Sequence, residues 1–289
     1  SVSNWFDTFN QNLRMSAQTV ADITYRYKRI TKQLNKDFHN SDSEIYHSFY
    51  AGSYGRGTDI LVSDIDMIFQ LPYSQYVKYN SYIGNGQSAL LQAVKTSIEK
   101  TYKSSMKADG QVIVISFTDG IIFELVPAFV NKDGSFTFAD TNNGGTWKTT
   151  NPKPEIAEMT AKNILWNRNL KRLCRMARAW KYQWDVPMGG LLIDTLAYNF
   201  MKDCGYKEKS YLYYDFISRD FFKFLSEQNP GQNYWLSPGA NQYVWRKGKF
   251  EYKAKQCYNI ALEAITKETD YPFTAKSKWR EIYGTKFPS

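Results

Sequence analysis

The sequence predicts an α+β fold, in which a lobe built on a mixed β-sheet is followed by a helical lobe and a long N-terminal helix joins the two. Three patterns carry this prediction: amphipathic periodicity at the N-terminus, short β-rich runs between residues 44 and 128, and helical periodicity from residue 155 onward. The chain has 289 residues, which is enough for one large domain or two closely apposed lobes.

The N-terminal helix is predicted from apolar residues that recur at three- and four-residue steps from Phe6 to Leu34, without any Pro or Gly. We expect one amphipathic helix of about 30 residues. A coiled-coil arm has the same pattern. Because the segment continues directly into strand-like sequence, the pattern favours a helix that serves as a spine within the molecule.

The sheet is predicted from four β-rich runs, of which residues 64–70 alternate apolar and polar side chains with period two. The other runs are residues 45–50, 112–118 and 121–128. Asp119-Gly120 joins the last two runs, and Asp-Gly is a strong hairpin signal because both turn residues tolerate positive φ. We therefore expect strands 112–118 and 121–128 to pair.

Helical patterns cover most of the remaining sequence. One helix is expected from Ser88 to Tyr102, and the chain reads as helical after Asn151-Pro152-Lys153-Pro154. The sequence therefore predicts two lobes, residues 1–152 with the sheet and residues 153–289 with helices. The expected helical segments of the second lobe are residues 155–184, 189–203, 211–227 and 250–267.

The composition excludes several classes of protein. Hydrophobic residues make up 43% and charged residues 22%, which is typical of globular proteins rather than disordered ones. The three cysteines are widely spaced, and the two histidines, His39 and His47, are interpreted as surface or helix-end residues. No disulfide framework or zinc site is therefore predicted.

The compartment and the partner class are also bounded by the sequence. No apolar run approaches the roughly 18 residues of a membrane span, and no secretory signal is visible, so we expect a cytoplasmic protein without a membrane partner. The net charge of +9 indicates a polyanionic partner.

Two acidic residues lie within an apolar strand pattern, where burial makes charge costly. Asp64 and Asp66 are two residues apart, so they project from the same face of the strand and repel each other. A divalent cation would compensate them, and oxygen ligands without His or Cys indicate Mg²⁺, with Mn²⁺ as the alternative. Glu124, in a neighbouring hydrophobic run, is the expected third carboxylate, whereas Asp119 falls in the predicted turn. Three strand-borne acids can hold two metal ions for nucleotidyl transfer.

A glycine-rich segment, Ala51-Gly52-Ser53-Tyr54-Gly55-Arg56-Gly57, precedes the acids. Glycines allow backbone N–H groups to approach phosphate oxygens, and a Ser hydroxyl can add a further contact. The segment lacks the Gly-Lys-Ser/Thr ending of a P-loop and the spacing of the dinucleotide-binding motif. We expect Gly52 and Ser53 to bind phosphates of a donor nucleotide.

This ordered set of Gly52-Ser53, Asp64-x-Asp66 and a third acid resembles the DNA polymerase beta-like nucleotidyltransferase superfamily. Within it, the chain is similar to the bacterial cGAS/DncV-like nucleotidyltransferases (CD-NTases), over nearly its whole length. The resemblance implies a two-lobed enzyme whose helical lobe closes the nucleotide cleft and which uses two Mg²⁺ ions to form a cyclic oligonucleotide messenger in anti-phage defence. Glu124 departs from the Asp that most members have at the third acid.

The positive charge is concentrated in one acid-free stretch, residues 159–184, with seven basic residues and a basic helix face that runs from Arg168 through Lys171 and Arg175 to Arg178. The rest of the chain therefore carries only +2 of the net +9. A solvated basic face has the same composition. The absence of any Glu to form i,i+4 pairs favours phosphate binding by Lys171, Arg175 and Arg178.

The resemblance implies finer roles for two residues. Arg178, in Arg178-Ala179-Trp180, matches a Lys that holds the donor triphosphate, and the Arg-x-Trp sequence resembles a branch found beside STING-type effectors, which implies cyclic di-GMP as the product. Asp194 could accept hydrogen bonds from guanine, although an acid in the first turn of a helix also stabilises the helix dipole. Many relatives carry a Ser near the position of Gly190.

The sequence thus predicts a metal-dependent nucleotidyltransferase that joins two or three ribonucleoside triphosphates, GTP before ATP, with release of pyrophosphate. No obligate nucleic acid is expected, and an effector protein would be reached through the diffusible product. The rival hypotheses are a template-independent polynucleotide or tRNA nucleotidyltransferase and, lower in rank, a non-catalytic nucleotide- or RNA-binding module.

Overall fold

The computed structural model describes residues 1–61 and 64–289. Its helices are α1 (Val2–Asn12), α2 (Ala17–His39), α3 (Gly52–Arg56), α4 (Tyr73–Asn80), α5 (Gly86–Glu99), α6 (Pro152–Leu165), α7 (Asn169–Trp184), α8 (Gly190–Asp203), α9 (Tyr214–Ser226), α10 (Glu251–Lys267) and α11 (Pro272–Tyr283). Its strands are β1 (Ser48–Tyr50), β2 (Ile65–Gln70), β3 (Ser105–Asp109), β4 (Val112–Ser116), β5 (Ile122–Val130), β6 (Phe136–Asp140), β7 (Thr146–Thr150), β8 (Tyr234–Leu236) and β9 (Tyr243–Trp245).

The chain divides into two compact units. A sheet unit contains residues 15–56 and 61–153, and a helical unit contains residues 1–14, 57–60 and 154–289. The sequence assigned all of residues 1–152 to the first lobe, whereas the structure groups α1 and residues 57–60 with the helical segments.

The sheet unit is built on a mixed sheet with the strand order β1-β2-β5-β4-β3, and β6 and β7 continue from β5. Strands β2 and β5 are parallel, and the other neighbouring strands are antiparallel. The predicted hairpin is confirmed, since β4 pairs with β5 from Ile113–Leu125 to Ser116–Ile122. The α+β class with a mixed sheet is therefore confirmed.

The core of the sheet unit lies between the sheet and helices α2 and α5. Apolar side chains at helical spacing on α2, such as Ile23 and Ile30, are fully buried with Leu90 and Val94 of α5. The inward side chains of β2, β4 and β5 complete this core, as their alternating sequence predicts.

The helical unit has its own core, rich in aromatic residues. Phe6 of α1, Trp180 of α7 and Trp279 of α11 are fully buried in it. Among the helices in residues 1–61 and 64–289, none is long and apolar enough to cross a membrane.

The prediction of one long N-terminal helix is wrong, because α1 ends at Asn12 and α2 begins at Ala17. Ser16 explains the break: its backbone is extended and its hydroxyl accepts a hydrogen bond from the Thr19 N–H at 3.1 Å, as an N-cap does. The apolar spacing continues across the break and conceals it.

A second break divides the predicted helix 155–184. Asn167 and Arg168 adopt positive φ, and Arg168 is the N-cap of α7. Arg168 therefore precedes the helix instead of lying on its basic face, which corrects the predicted four-residue row.

Candidate active site

The carboxylates of Asp66 and Glu124 lie on adjacent strands at the same level of the sheet. Asp66 of β2 is directly opposite Glu124 of β5 in the parallel register, so the two side chains share a face. Asp64 is exposed and lies one residue before β2 begins, two residues from Asp66. The fold of the sheet unit thus places Asp66 and Glu124 side by side, with Asp64 near enough to act on the pKa of both.

The electrostatics of this group show that its carboxylates repel one another. Burial is the largest cause that raises the pKa of Asp66, the Glu124 and Asp64 carboxylates also raise it, and Arg56 lowers it, so that the pKa of Asp66 is about 6. The pKa of Glu124 is also raised, first by burial and then by Asp64. Carboxylates that repel one another in this way favour a cation between them.

The donor set fits a hard divalent cation in its chemistry. It offers only carboxylate oxygens, which Mg²⁺ and Mn²⁺ prefer, and a bound cation would relieve the repulsion between Asp64, Asp66 and Glu124. As the side chains stand, no three His, Cys, Asp or Glu residues within 1–61 and 64–289 already converge as metal ligands.

The backbone at Gly52 passes close beside this group. Gly52 adopts φ +57°, and a Cβ there would overlap the Asp66 carboxylate. The Ala51 N–H donates to the Asp66 carbonyl at 2.9 Å, which fixes the approach. Only glycine combines this conformation with this proximity, so the Gly-Ser segment is anchored beside the acids. Ser53 follows in the first turn of α3 and is half-buried.

Asp119, the other acid considered for the third position, lies in the turn between β4 and β5. Its carboxylate accepts two hydrogen bonds from the Arg26 guanidinium, at 3.0 and 2.7 Å. This hydrogen bonding holds the pKa of Asp119 below its usual value. Asp119 therefore has a structural partner on α2.

In the helical unit, Arg178 forms a buried ion pair with Asp194. The guanidinium of Arg178 donates to the Asp194 carboxylate at 2.6 and 3.2 Å and to the Gly190 carbonyl at 3.1 Å. The Thr58 hydroxyl also donates to Asp194, at 2.7 Å. Arg178 is 5% exposed and Asp194 is not exposed at all. Burial alone would lower the pKa of Arg178, but Asp194 outweighs it and the pKa is raised.

The partners of Arg178 and Asp194 in the structure differ from the nucleotide contacts that the sequence predicts for them. Arg178 was expected at a triphosphate and Asp194 at a guanine, whereas in the structure each has the other as its main partner, across α7 and α8. Contact of either side chain with a nucleotide stays a prediction.

Lys171 and Arg175 line a cavity of about 420 Å³ in the helical unit. The Lys171 ammonium donates to the Thr160 hydroxyl at 3.2 Å, and the Arg175 guanidinium donates to the Gly57 carbonyl at 2.7 Å. Arg14 lines the same cavity. The basic face of α7 is thus divided between this cavity and the buried pair.

Two residues of these arrangements were missed from the sequence. Arg14 follows the end of α1, and the apparently continuous helical pattern gave it no distinct position. Thr58 binds Asp194, and its only sequence signal was its place directly after the Gly-Ser segment.

Comparison with known proteins adds a family match. The model of the Second Messenger Oligonucleotide or Dinucleotide Synthetase domain matches residues 1–163. A probable cyclic nucleotide synthase of Bacillus cereus (strain VD146) is 21% identical over 178 residues, which cover 58% of this chain and 52% of that relative. The match thus spans about half the length of the curated relative.

Two solved structures have a similar fold. The CdnC:HORMA-deltaN complex of E. coli MS115-1 matches with a TM-score of 0.73 and 12% identity, over 99% of this chain and 98% of that one. The STING-associated CdnE c-di-GMP synthase of Capnocytophaga granulosa matches with a TM-score of 0.63 and 14% identity, over 94% of this chain and 84% of that one.

Proposed function

The chain belongs to the Second Messenger Oligonucleotide or Dinucleotide Synthetase family, and from this premise we propose that it is a metal-dependent nucleotidyltransferase that makes a cyclic oligonucleotide. The observation that carries the proposal is the register of Asp66 with Glu124, beside Asp64 and against the Gly52 backbone. Charges placed at such a cost in a hydrophobic sheet are typical of a catalytic site.

Asp64, Asp66 and Glu124 would hold the divalent cations, two Mg²⁺ or Mn²⁺ ions. When bound, these ions supply activation of the acceptor hydroxyl and neutralisation of the leaving pyrophosphate. In each transfer the acceptor 3′-oxygen forms a bond to the α-phosphorus of the donor, the bond to pyrophosphate breaks, and the hydroxyl proton is released. Two such transfers between two nucleotides close a ring and release two pyrophosphates.

Gly52 and Ser53 are the proposed contacts of the donor phosphates. The support for Gly52 is its backbone position beside Asp66, which leaves no room for a side chain. Lys171 and Arg175 offer cationic groups for phosphate, as the sequence predicted, at the cavity of the helical unit. For Arg178 and Asp194 we propose a positioning role: their ion pair ties α7 to α8 and so fixes the helix that carries Lys171 and Arg175.

The proposed product is cyclic di-GMP, made from GTP in anti-phage signalling, with an effector protein reached through the diffusible product. Two observations support it: the sequence Arg178-Ala179-Trp180 and the fold match to a c-di-GMP synthase. Trp180 is fully buried, and its indole N–H donates to the Cys257 sulfur at 3.2 Å. If Trp180 affects which base is bound, it would therefore do so indirectly, by packing in the core beneath α7.

The experiment is a product assay with purified protein, Mg²⁺ and the four ribonucleoside triphosphates, singly and in mixtures. We expect a phosphatase-resistant product, identified by mass spectrometry as cyclic di-GMP with GTP alone. Asp64→Asn should abolish the product, because it removes a carboxylate charge from the proposed metal site. Asp119→Asn is the matched control in the same unit and should leave product formation unchanged, since Asp119 is paired with Arg26.

The same assay separates the rival functions. Extension of an added RNA, with no cyclic product, would identify a polynucleotide nucleotidyltransferase instead. Equal turnover by wild type and Asp64→Asn would reject the proposed site. A cyclic product with bases other than guanine would reject only the proposed specificity.

A further inference from the structure

The cavity beside α7 is lined by basic side chains that come from separate parts of the helical unit. Arg14 lies just beyond α1, Arg168 caps α7, and Lys171, Arg172 and Arg175 lie along α7. The remaining lining residues are polar, apart from a glycine: Asn10, Gln11, Gly57, Asn163 and Tyr211. No carboxylate lines the cavity.

The positive charge of this cavity is not neutralised by an ion pair among the described residues. In the part of the chain that the structure describes, none of the five cationic residues forms a salt bridge with a carboxylate. Their hydrogen bonds run to neutral groups such as the Gly57 carbonyl and the Thr160 hydroxyl. The first two turns of α7, its N-cap and the segment after α1 therefore hold like charges together without an ion-pair partner among the described residues.

Arg175 is the most buried of these five cationic residues. It is 7% exposed, and its Nε atom is buried without a hydrogen-bond partner among the described residues. Burial and, to a smaller extent, Arg14 lower the pKa of Arg175 to about 10, and the pKa of Lys171 is lowered by burial and by Arg175. A buried polar group without a partner destabilises the protein, and a ligand that accepts its hydrogen bond would remove that cost.

The nearby acids do not fill this role. Asp59 interacts with Arg14 and Arg175 only at longer range, and burial raises its pKa. Asp7 lies on α1, where its carboxylate accepts a hydrogen bond from Gln11 at 3.1 Å. Neither lines the cavity.

We propose that this cavity is a binding site for a compact ligand that carries two or more linked phosphate groups. Its volume of about 420 Å³ is that of a small-molecule site. Arginine binds phosphate through two parallel hydrogen bonds, and four arginines around one cavity match the charge density of an oligophosphate better than that of a single carboxylate.

The size of the cavity favours a small molecule over a polynucleotide. The five cationic residues converge on one concave site instead of extending along a surface. Tyr211, the aromatic side chain among the lining residues, already packs against the Arg172 guanidinium, 4.6 Å from the ring centre. A base would have to displace this contact in order to stack, whereas linked phosphates would not.

The test is calorimetric titration of the full chain with inorganic triphosphate in EDTA, so that no metal site is loaded. We expect saturable binding near one equivalent. Arg14→Gln combined with Arg168→Gln should weaken it at least about tenfold, since both side chains are exposed at the rim and the change removes two charges. Lys255→Gln combined with Lys276→Gln is the control of equal net charge outside the cavity, and should bind as wild type does.

The rim variant is expected to fold, because it relieves repulsion and opens no core space, and its melting temperature without ligand should equal or exceed that of wild type. Ser53→Ala separates this site from the proposed donor site. Binding that survives Ser53→Ala and is lost in the rim variant supports the proposal, even if no cyclic product is ever formed. Unchanged binding in the rim variant overturns it.

A short single-stranded RNA provides the last arm of the experiment. If a 12-nucleotide RNA displaces triphosphate and binds more tightly, with the same dependence on Arg14 and Arg168, the occupant is a polynucleotide and the proposal of a compact ligand is wrong. If the RNA binds more weakly than triphosphate, or equally in the rim variant, the compact ligand is supported.

Discussion

Two groups of charged side chains, one in each unit, differ in whether opposite charges are paired. In the sheet unit, Asp66 and Glu124 lie side by side and repel each other, and the pKa of each is raised. In the helical unit, Arg178 and Asp194 cancel each other through two hydrogen bonds. A buried charge with an oppositely charged partner in the protein has a structural role. A buried charge without such a partner lowers stability and indicates that a ligand binds there.

The cavity of Arg14, Lys171 and Arg175 belongs with the acidic group by this criterion, although its sign is opposite. Arg175 and Arg178 are three residues apart on one helix, yet only Arg178 has a carboxylate partner. Whether a charged side chain has an oppositely charged partner therefore distinguishes the proposed binding residues of this chain from its structural ion pairs, and the number of charges does not.

The largest expected effect is on activity, in Asp66→Asn. The variant loses a carboxylate that the proposed reaction needs, so the rate of cyclic product formation should fall on the order of 1000-fold. Stability should not fall, because the change relieves repulsion with Glu124 and Asp64. Initial rates and urea unfolding measure the two effects. A loss of stability equal to that of a core mutation would show that Asp66 is a structural residue.

The next effect is on stability, in Asp194→Asn. Removing this charge leaves Arg178 buried without its counter-ion, and the free energy of unfolding should fall by about 3 kcal/mol. Urea denaturation measures it. Glu99→Gln removes an exposed partner of Lys95 and should cost less than about 0.5 kcal/mol. Arg178→Met combined with Asp194→Leu should recover part of the loss, and equal effects of Asp194→Asn and Glu99→Gln would contradict the comparison.

A third group brings the carboxyls of Asp215 and Glu268 together, and it should make stability depend on pH. Burial, the Asp215 carboxylate and the hydrogen bond between the two carboxyls together raise the pKa of Glu268 to about 8. The folded state thus binds a proton that the unfolded state loses near pH 4.5, the ordinary pKa of Glu. Stability should therefore fall as pH rises from about 4.5 to about 8.

Glu268→Gln should remove this slope, because an amide does not titrate and can still donate a hydrogen bond to Asp215. Thermal unfolding of both proteins across this pH range measures the difference. If wild type and variant lose stability in parallel, other groups carry the pH dependence.

The sheet with its acids was predictable because the signal is local. Period-two alternation identified residues 64–70, and Asp119-Gly120 identified the hairpin that carries Glu124. The parallel pairing of β2 with β5, which sets Asp66 opposite Glu124, was not predictable, since it joins segments more than fifty residues apart and depends on the packed sheet.

The helical unit was less predictable, because its charges find partners on other elements. The acid-free stretch of residues 159–184 contains no partner for Arg178, and its partner Asp194 comes from α8. The breaks before Ser16 and at Arg168 contain neither Pro nor Gly and interrupt an otherwise continuous helical pattern. Local periodicity could not reveal either break, and only tertiary packing determines which cations remain uncompensated.

The smallest expected effect comes from a balanced charge pair on the surface. Arg26 and Asp119 form two hydrogen bonds, but the Asp119 side chain is 41% exposed, so Asp119→Asn should cost less than about 1 kcal/mol at neutral pH. Since Arg26 lowers the pKa of Asp119, this contribution is present above the ordinary pKa of 3.8 and is lost as pH falls through the lowered value. The difference between wild type and Asp119→Asn in urea unfolding should accordingly disappear in acid. A difference that persists in acid would mean that Asp119 supports the turn through its bond from the Ile121 N–H more than through Arg26.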